Sequence, residues 1–265
     1  MKVGICGLGF VGNAIRSFML KDPHVQTVIV YDKYKHINVL DDLLRADFIF
    51  ICIPTPYDER MKQYDMDELD TTLFLLAEMK YKGIILIKST VLPDYGQVTN
   101  NRYPKLNILH NPEFLSAATA NYDFEHQEHI ILGYTDQSER MITTVEKFYK
   151  TLFPKALIST TDATTSAMTK LALNSFYATK VQFFSEIFLL CEKTNINYNE
   201  VKNLMLNNKW INPKHTQVPG HDGHISYGGM CLPKDINALH QYMCANDTPH
   251  QVLDAVIAER NLMRL

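Results

Sequence analysis

The sequence predicts an α/β chain: a doubly wound parallel sheet followed by an all-helical second domain. Three observations carry that expectation. A short apolar run, Met1–Cys6, leads at once into Gly7-Leu8-Gly9-Phe10-Val11-Gly12. Further continuous apolar runs then alternate with helix-like stretches, the pattern of parallel strands buried on both faces. From Thr161 onward the strand-like runs stop and helical periodicity takes over. The expected division is therefore residues 1–160 for the sheet domain and 161–265 for the helical one.

Taken in order, Met1–Cys6 reads as the first strand and Asn13–Lys21 as the first helix. Val28–Tyr31 is the second strand, and it ends at Asp32. This strand–glycine turn–helix–strand–acid order, with Asp32 twenty residues beyond Gly12, is the Rossmann-like dinucleotide pattern. Each part has a physical task. Gly7 permits the tight turn, Gly9 lets a pyrophosphate approach the backbone, and Gly12 allows close packing of helix on strand. The helix N-terminus offers free N–H groups and a favourable dipole for the phosphates. Asp32 can accept from both ribose hydroxyls, which favours NAD over NADP, while Lys33 and Lys35 just beyond it would tolerate a 2′-phosphate. Asp47–Ile53, Gly83–Ile87, Asn107–Leu109 and His129–Leu132 read as the remaining strands, the last closing the series at Gly133. Thr55 (in Pro54-Thr55-Pro56), Thr90 (in Lys88-Ser89-Thr90) and Glu113 each fall just after a strand end. That is where open α/β sheets bind ligands, though Thr and Pro are also ordinary turn residues.

Composition sets outer limits. With 265 residues, 46% of them hydrophobic, the chain can bury a large core in one or two domains. A net charge of -3 gives no reason to expect nucleic acid or an anionic membrane as the main partner. The longest apolar runs are too short to cross a bilayer, and no charged-then-apolar leader precedes the first strand. Five scattered cysteines without a Cys-x-x-Cys point to reduced thiols and a cytoplasmic setting.

In the second half, Asp162 or Thr164 can cap a long helix running toward Lys193, apolar on much of its surface. Lys170 and Asn174, four apart, share one face of it. An ammonium on such a helix either snorkels to solvent or faces a polar pocket. Asn199–Asn207, Pro233–Cys244 and Pro249–Leu265 read as further helices, and Trp210–Ser226 as a loop rich in Pro, Gly and His. After that loop comes Tyr227-Gly228-Gly229-Met230-Cys231-Leu232-Pro233-Lys234-Asp235. A thiol behind two glycines, with Lys234 close by, reads as a nucleophile presented to a ligand; equally, Gly-Gly before a helix start with a small packed Cys is ordinary structure. His215, His221, His224 and Cys231 match no compact zinc spacing, so no metal is expected.

These motifs resemble the UDP-glucose/GDP-mannose dehydrogenase family. The matching segments are Gly7–Gly12, Ile53-Pro54-Thr55-Pro56, Lys88-Ser89-Thr90-Val91, Asn111-Pro112-Glu113-Phe114-Leu115, Lys170-Leu171-Ala172-Leu173-Asn174 and Gly228–Asp235, in the family's order across nearly the whole chain. The resemblance implies NAD-dependent oxidation of the C6 alcohol of a UDP-glucose-like nucleotide sugar to a carboxylate. Cys231 would be the nucleophile that holds the aldehyde as a thiohemiacetal and then a thioester. Lys170 and Asn174 would bind the C6 oxygen, Asp235 would position water with Lys170, and Glu113 and Thr90 would assist proton transfer. Glu113, Phe114, Leu115, Lys170, Asn174, Tyr227, Gly228, Gly229 and Cys231 would line the sugar. Gly7, Gly9, Phe10, Val11, Gly12, Asp32, Lys33, Pro54, Thr55, Ser89, Thr90 and Lys234 would line NAD. The family's central helix forms a dimer core, so a homodimer is expected.

The sequence departs from the family in three places. Family members continue into a third, nucleotide-gripping domain, and this chain stops at Leu265 where that domain would begin; a short member lacking it is expected, with a separate chain as a candidate supplier. Trp210 takes the place of an arginine that reaches a partner's site, and Ser116-Ala117-Ala118 replaces an acidic residue and glycine. Two other readings compete. One is a two-domain β-hydroxyacid dehydrogenase, which shares the Lys–Asn pair but has no need of the Cys231 thiol. The other is a non-catalytic binding or dimerisation module.

Overall fold

A computed structural model describes residues 1–264. Leu265, the last residue of the expected terminal helix, lies outside the described residues. The chain divides into two compact units, Met1–Pro56 with Tyr64–Lys170, and Tyr57–Gln63 with Leu171–Leu265.

In the first unit, β1 (Lys2–Cys6), α1 (Phe10–Met19), β2 (Thr27–Tyr31) and β3 (Phe48–Ile51) form in sequence. The chain then passes through a small hairpin, β4 (Tyr57–Asp58) and β5 (Gln63–Tyr64), of which Tyr57–Gln63 belong to the second unit, and re-enters the first for α2 (Asp67–Glu78), β6 (Ile84–Ile87), α3 (Tyr95–Arg102) and β7 (Asn107–His110). The unit continues through α4 (Ala120–Glu125), β8 (His129–Tyr134), α5 (Ile142–Leu152) and β9 (Leu157–Asp162). The sheet has seven strands in the order β2-β1-β3-β6-β7-β8-β9. Residues of β1, β3 and β6 are almost fully buried (Ile5, Ile49, Phe50, Ile51, Ile85 and Leu86 at 0% exposure), because helices cover both faces.

Two expectations need correction. The strand series does not close at Leu132: β9 pairs parallel to β8 from His129↔Leu157 to Tyr134↔Asp162. It lies at the sheet edge with no buried residue, so it shows no continuous apolar run. Nor is the sheet wholly parallel: β8 meets β7 antiparallel at His110↔Gly133. Helix α4, which packs on α1 through the Phe18 and Phe124 rings 5.6 Å apart, returns the chain in the opposite sense. The β4–β5 hairpin had no sequence signature, since strands of two residues show no periodicity.

The long helix α6 (Ala163–Thr194) is capped by Asp162, whose carboxylate accepts from the Thr165 N–H (2.8 Å) and hydroxyl (2.7 Å). Its first turns belong to the first unit because Gly133 leaves room for them. A Cβ at Gly133 would stand 2.5 Å from that of Ser166. Its remainder joins α7 (Tyr198–Asn207), α8 (Leu232–Ala245) and α9 (Gln251–Met263) in the second unit. One core of that unit gathers Ala178, Tyr227, Ile236 and Val256; another gathers Phe184, Cys191, Tyr198 and Val218. The long loop before α8 is pinned to α6, with Lys180 donating to the carbonyls of Asn212 (2.5 Å) and Lys214 (2.8 Å). No described helix is long and apolar enough to cross a membrane.

Candidate functional site

The glycine turn is built by steric necessity. Gly7 has φ +91°, and a Cβ there would lie 2.7 Å from the Cys52 carbonyl oxygen. Gly12 sits so close to the turn that a Cβ would come 2.0 Å from the Gly7 oxygen. Gly9 is the opposite case: it is the N-cap of α1, no side chain caps the helix, and a Cβ would meet nothing within 4 Å. Open space over uncapped first-turn N–H groups at Phe10 and Val11 suits a pyrophosphate. Asp32, at the end of β2, is buried, and its carboxylate accepts from the N–H groups of Leu8 (2.7 Å) and Lys35 (2.9 Å). Those bonds fix the carboxylate beside the turn and leave acceptor capacity for ribose hydroxyls. Lys35 donates to the Leu8 carbonyl (2.5 Å), while Lys33 turns away to pair with Glu68 (2.6 Å). These residues fit a dinucleotide: an uncapped helix end, an open glycine and a fixed acid.

The loops after β3 and β6 brace each other. The Thr55 hydroxyl donates to the Thr90 carbonyl (2.7 Å), and the Ser89 hydroxyl donates to the Ile53 carbonyl (2.6 Å); Pro54 lies between these bonds in the chain. After β7, Asn111 is fully buried, donating to the Ile131 carbonyl (2.8 Å) and accepting from the Tyr149 hydroxyl. This anchors the segment that carries Glu113. The Glu113 carboxylate accepts from the Leu115 N–H (2.7 Å) and lies 3.3 Å from the Lys170 ammonium, which also donates to the Glu113 carbonyl (2.5 Å). Both side chains are buried, at 7% and 4% exposure, and the ammonium stands 5.1 Å from the centre of the Phe114 ring. Lys170 therefore does not snorkel.

In the helical unit, Cys231 is the half-exposed N-cap of α8, with Pro233 in the first turn and Lys234 and Asp235 following. Asp235 is fully buried and accepts from Asn174 (2.5 Å) and Lys234 (2.5 Å). Before the cysteine, Gly229 takes φ +76° with open space around its Cβ position. Gly228 lies against the Arg264 guanidinium, which a Cβ would approach to 2.1 Å. Tyr227 is placed otherwise than a sugar-lining side chain: its ring is 2% exposed, in the core with Ala178 and Ile236, and burial pushes its hydroxyl up to about 12.

Three groups escaped sequence reasoning. Lys88 is buried, its ammonium near the Phe50 and Tyr149 rings, and burial pushes it down to about 8. His110 is held neutral, pushed by burial down to about 3, with Nδ1 2.8 Å from the Ser166 hydroxyl. Arg264 holds the loop before Cys231 through the carbonyls of Ile225 (2.9 Å) and Ser226 (2.8 Å) and the Asp222 carboxylate (2.9 Å). Lys88 stood in a matched motif, but nothing in the sequence showed that it would be buried.

Comparison with known proteins agrees with these features. Residues 37–153 match the NAD binding domain of the UDP-glucose/GDP-mannose dehydrogenase family, and residues 164–261 match its central domain. The sequence is 30% identical over 226 residues to a UDP-glucose 6-dehydrogenase of Bacillus subtilis (strain 168), covering 83% of this chain and 49% of that protein. The chain spans about half the length of several curated relatives that it matches. A UDP-glucose dehydrogenase from Pyrobaculum islandicum superposes with a TM-score of 0.83 at 20% identity, covering 98% of this chain and 68% of that one. A 3-hydroxyisobutyrate dehydrogenase of Mycobacterium tuberculosis has a similar fold, with a TM-score of 0.72 at 13% identity, covering 97% and 91%. The cofactor of the first unit is NAD. With both matched segments in order, the chain belongs to the UDP-glucose/GDP-mannose dehydrogenase family.

Proposed function

We propose that the chain oxidises the C6 alcohol of a nucleotide sugar of the UDP-glucose type to a uronate, by two hydride transfers with Cys231 as the covalent anchor. One observation carries this reading. Cys231 caps α8 at partial exposure, one turn from Asp235, which Asn174 and Lys234 hold in place. A single-hydride dehydrogenase has no use for that thiol.

NAD supplies the hydride acceptor, twice per sugar. The first oxidation removes a hydride from C6 and a proton from its hydroxyl, giving the aldehyde. The Cys231 thiolate adds to the aldehyde carbon, and the oxygen takes up a proton to form a thiohemiacetal. Loss of a second hydride from that carbon, and of the hydroxyl proton, leaves a thioester. Water then adds to the thioester carbon, the C–S bond breaks, and carboxylate and thiol are released. A thiolate at a helix N-terminus is favoured by the helix dipole. Lys170 and Asn174, on one face of α6, are donors suited to the C6 oxygen as negative charge develops there. Asp235 and Glu113, both fixed acceptors, suit the positioning of water, with Thr90 beside the cofactor. The Phe114 and Leu115 backbone would contact the sugar, and Lys234 the cofactor.

We also propose a homodimer through α6. Phe176, Phe183 and Leu190 recur every seven residues along it and are 60%, 49% and 55% exposed, a stripe that association would cover. The free cysteines among the described residues accord with a reducing, cytoplasmic setting. The runner-up, a β-hydroxyacid dehydrogenase, is favoured only by the likeness of fold to the mycobacterial protein.

NADH formation with a panel of UDP- and GDP-hexoses tests the reading. Two NADH per sugar, lost in Cys231→Ala, are expected. One NADH, unaffected by Cys231→Ala, would overturn this reading in favour of a single hydride transfer that needs no thiol. No turnover on any sugar and no NAD binding would leave the binding or dimerisation module.

A further inference from the structure

Four metal-ligating side chains lie together where α8 turns into α9, well along α8 from Cys231. His240 and Cys244 are one helical turn apart on α8; His250 caps α9, and Asp254 follows one turn later. One ligand atom from each of His240, Cys244 and His250 falls within 4.8 Å of the others. Cys244 Sγ is 3.7 Å from His240 Nε2. The Asp254 carboxylate reaches both imidazoles, with Oδ1 2.6 Å from His240 Nε2 and Oδ2 3.6 Å from His250 Nε2.

We propose that His240, Cys244, His250 and Asp254 form a structural zinc site that clamps α8 to α9. In a tetrahedral zinc centre, with Zn–N near 2.0–2.1 Å and Zn–S near 2.3 Å, neighbouring ligand atoms stand about 3.3–3.8 Å apart. Of the six separations such a centre defines, Cys244–His240 and His250–Asp254 already match, and His250 lies within 4.8 Å of His240 and Cys244. The His240–Asp254 pair widens by rotation of Asp254, whose side chain is 49% exposed. The outer hydrogen bonds suit metal ligation as well. His250 Nδ1 lies 2.8 Å from the Thr248 carbonyl, which fixes its proton there and leaves Nε2 for the metal. The Gln241 amide stands 3.1 Å from His240 Nδ1, and with its oxygen turned inward it accepts that proton and leaves Nε2 likewise.

The donor set selects the ion. One thiolate, two imidazoles and one carboxylate suit zinc, whereas magnesium and calcium take oxygen ligands. Four protein ligands close the coordination sphere, so the metal holds structure and carries no water for catalysis. The two i, i+4 pairs straddle a tight turn in which Asp247 takes φ 52°. The sequence alone drew attention to the histidines of the preceding loop because the pairing across this turn is set by how the two helices pack.

Cobalt titration of the chelator-stripped full chain tests the site. We expect one equivalent to bind with the strong visible absorption of four-coordinate cobalt and a thiolate-to-cobalt charge-transfer band, both displaced by zinc. Zinc should also raise the thermal unfolding midpoint, since it binds only the folded arrangement. Cys244→Ser should lose the charge-transfer band, and His250→Gln should lose stoichiometric uptake while keeping its far-UV circular dichroism. Cys231→Ser should leave the spectrum unchanged. No uptake at micromolar metal, the weak spectrum of six-coordinate cobalt, or a charge-transfer band that follows Cys231 rather than Cys244 would overturn the proposal. If Cys244→Ser fails to fold, the wild-type spectrum together with His250→Gln decides the matter.

Discussion

Asn174 donates to the fully buried carboxylate of Asp235 across 2.5 Å, tying the middle of α6 to the first turn of α8 inside the helical unit. The other carboxylate oxygen accepts from Lys234 at 2.5 Å. A buried charge is tolerated only with such partners. Asn174→Ala should therefore cost about 1–3 kcal/mol. Urea unfolding should show a lower midpoint with an unchanged slope, and an unchanged midpoint would mean that the pair contributes nothing to stability.

The glycine turn gives two opposed outcomes. Gly12→Ala drives a Cβ to 2.0 Å from the Gly7 oxygen, a backbone atom that cannot yield, so it should destabilise by about 3 kcal/mol or more. Gly9→Ala meets no protein atom within 4 Å and should cost about 1 kcal/mol or less through the poorer N-cap. Its added methyl occupies the space assigned to the pyrophosphate, so it should weaken NADH binding. Thermal melts and NADH fluorescence titrations on both variants separate the two effects.

Lys88 makes stability depend on pH. Burial lowers its folded value to about 8 from 10.5. Between those two values the unfolded chain binds more protons than the folded one, so stability rises with pH through that window. Below about pH 8 the full cost of the buried ammonium is present. Lys88→Met should accordingly stabilise at pH 7, by roughly 3 kcal/mol at most, with the gain shrinking toward pH 10. Chemical denaturation at pH 7, 8.5 and 10 checks the sign of that trend.

Thiol labelling should sort the cysteines. Cys6, Cys52 and Cys191 are buried, and burial pushes the Cys6 thiol up to about 12 and the Cys52 thiol higher still. Cys231 and Cys244 are half-exposed. Brief iodoacetamide treatment of the native, metal-free chain at neutral pH, read by peptide mass spectrometry, should modify these two and spare the other three. Equal labelling of all five would contradict the burial pattern.

Arg264 closes the loop before Cys231 with bonds to Asp222, Ile225 and Ser226. Arg264→Ala removes all of them and leaves space beside Gly228. Limited proteolysis should then cut faster within residues 220–229, and the stability cost should be about 1–3 kcal/mol. Unchanged cleavage would show that the loop is held by other contacts.

Much of this protein is legible in its sequence because local rules are strong there. Gly7, Gly9 and Gly12 followed by Asp32 specify a turn, a helix start and an acid within one supersecondary unit, whose geometry the chain's own sterics enforce. Buried central strands such as Phe48–Ile51 announce themselves as apolar runs, and Lys170 and Asn174 share a face because a helix repeats every 3.6 residues. Only the tertiary structure decided what depends on long-range packing. It placed the half-exposed edge strand Leu157–Asp162, reversed β8 against β7, turned the Tyr227 ring into the core and gave Asp235 its partner sixty-one residues away. It also desolvated Lys88 and brought His240, Cys244, His250 and Asp254 together across a turn. A residue's burial and its distant neighbours belong to the packed chain as a whole, and no local pattern encodes them.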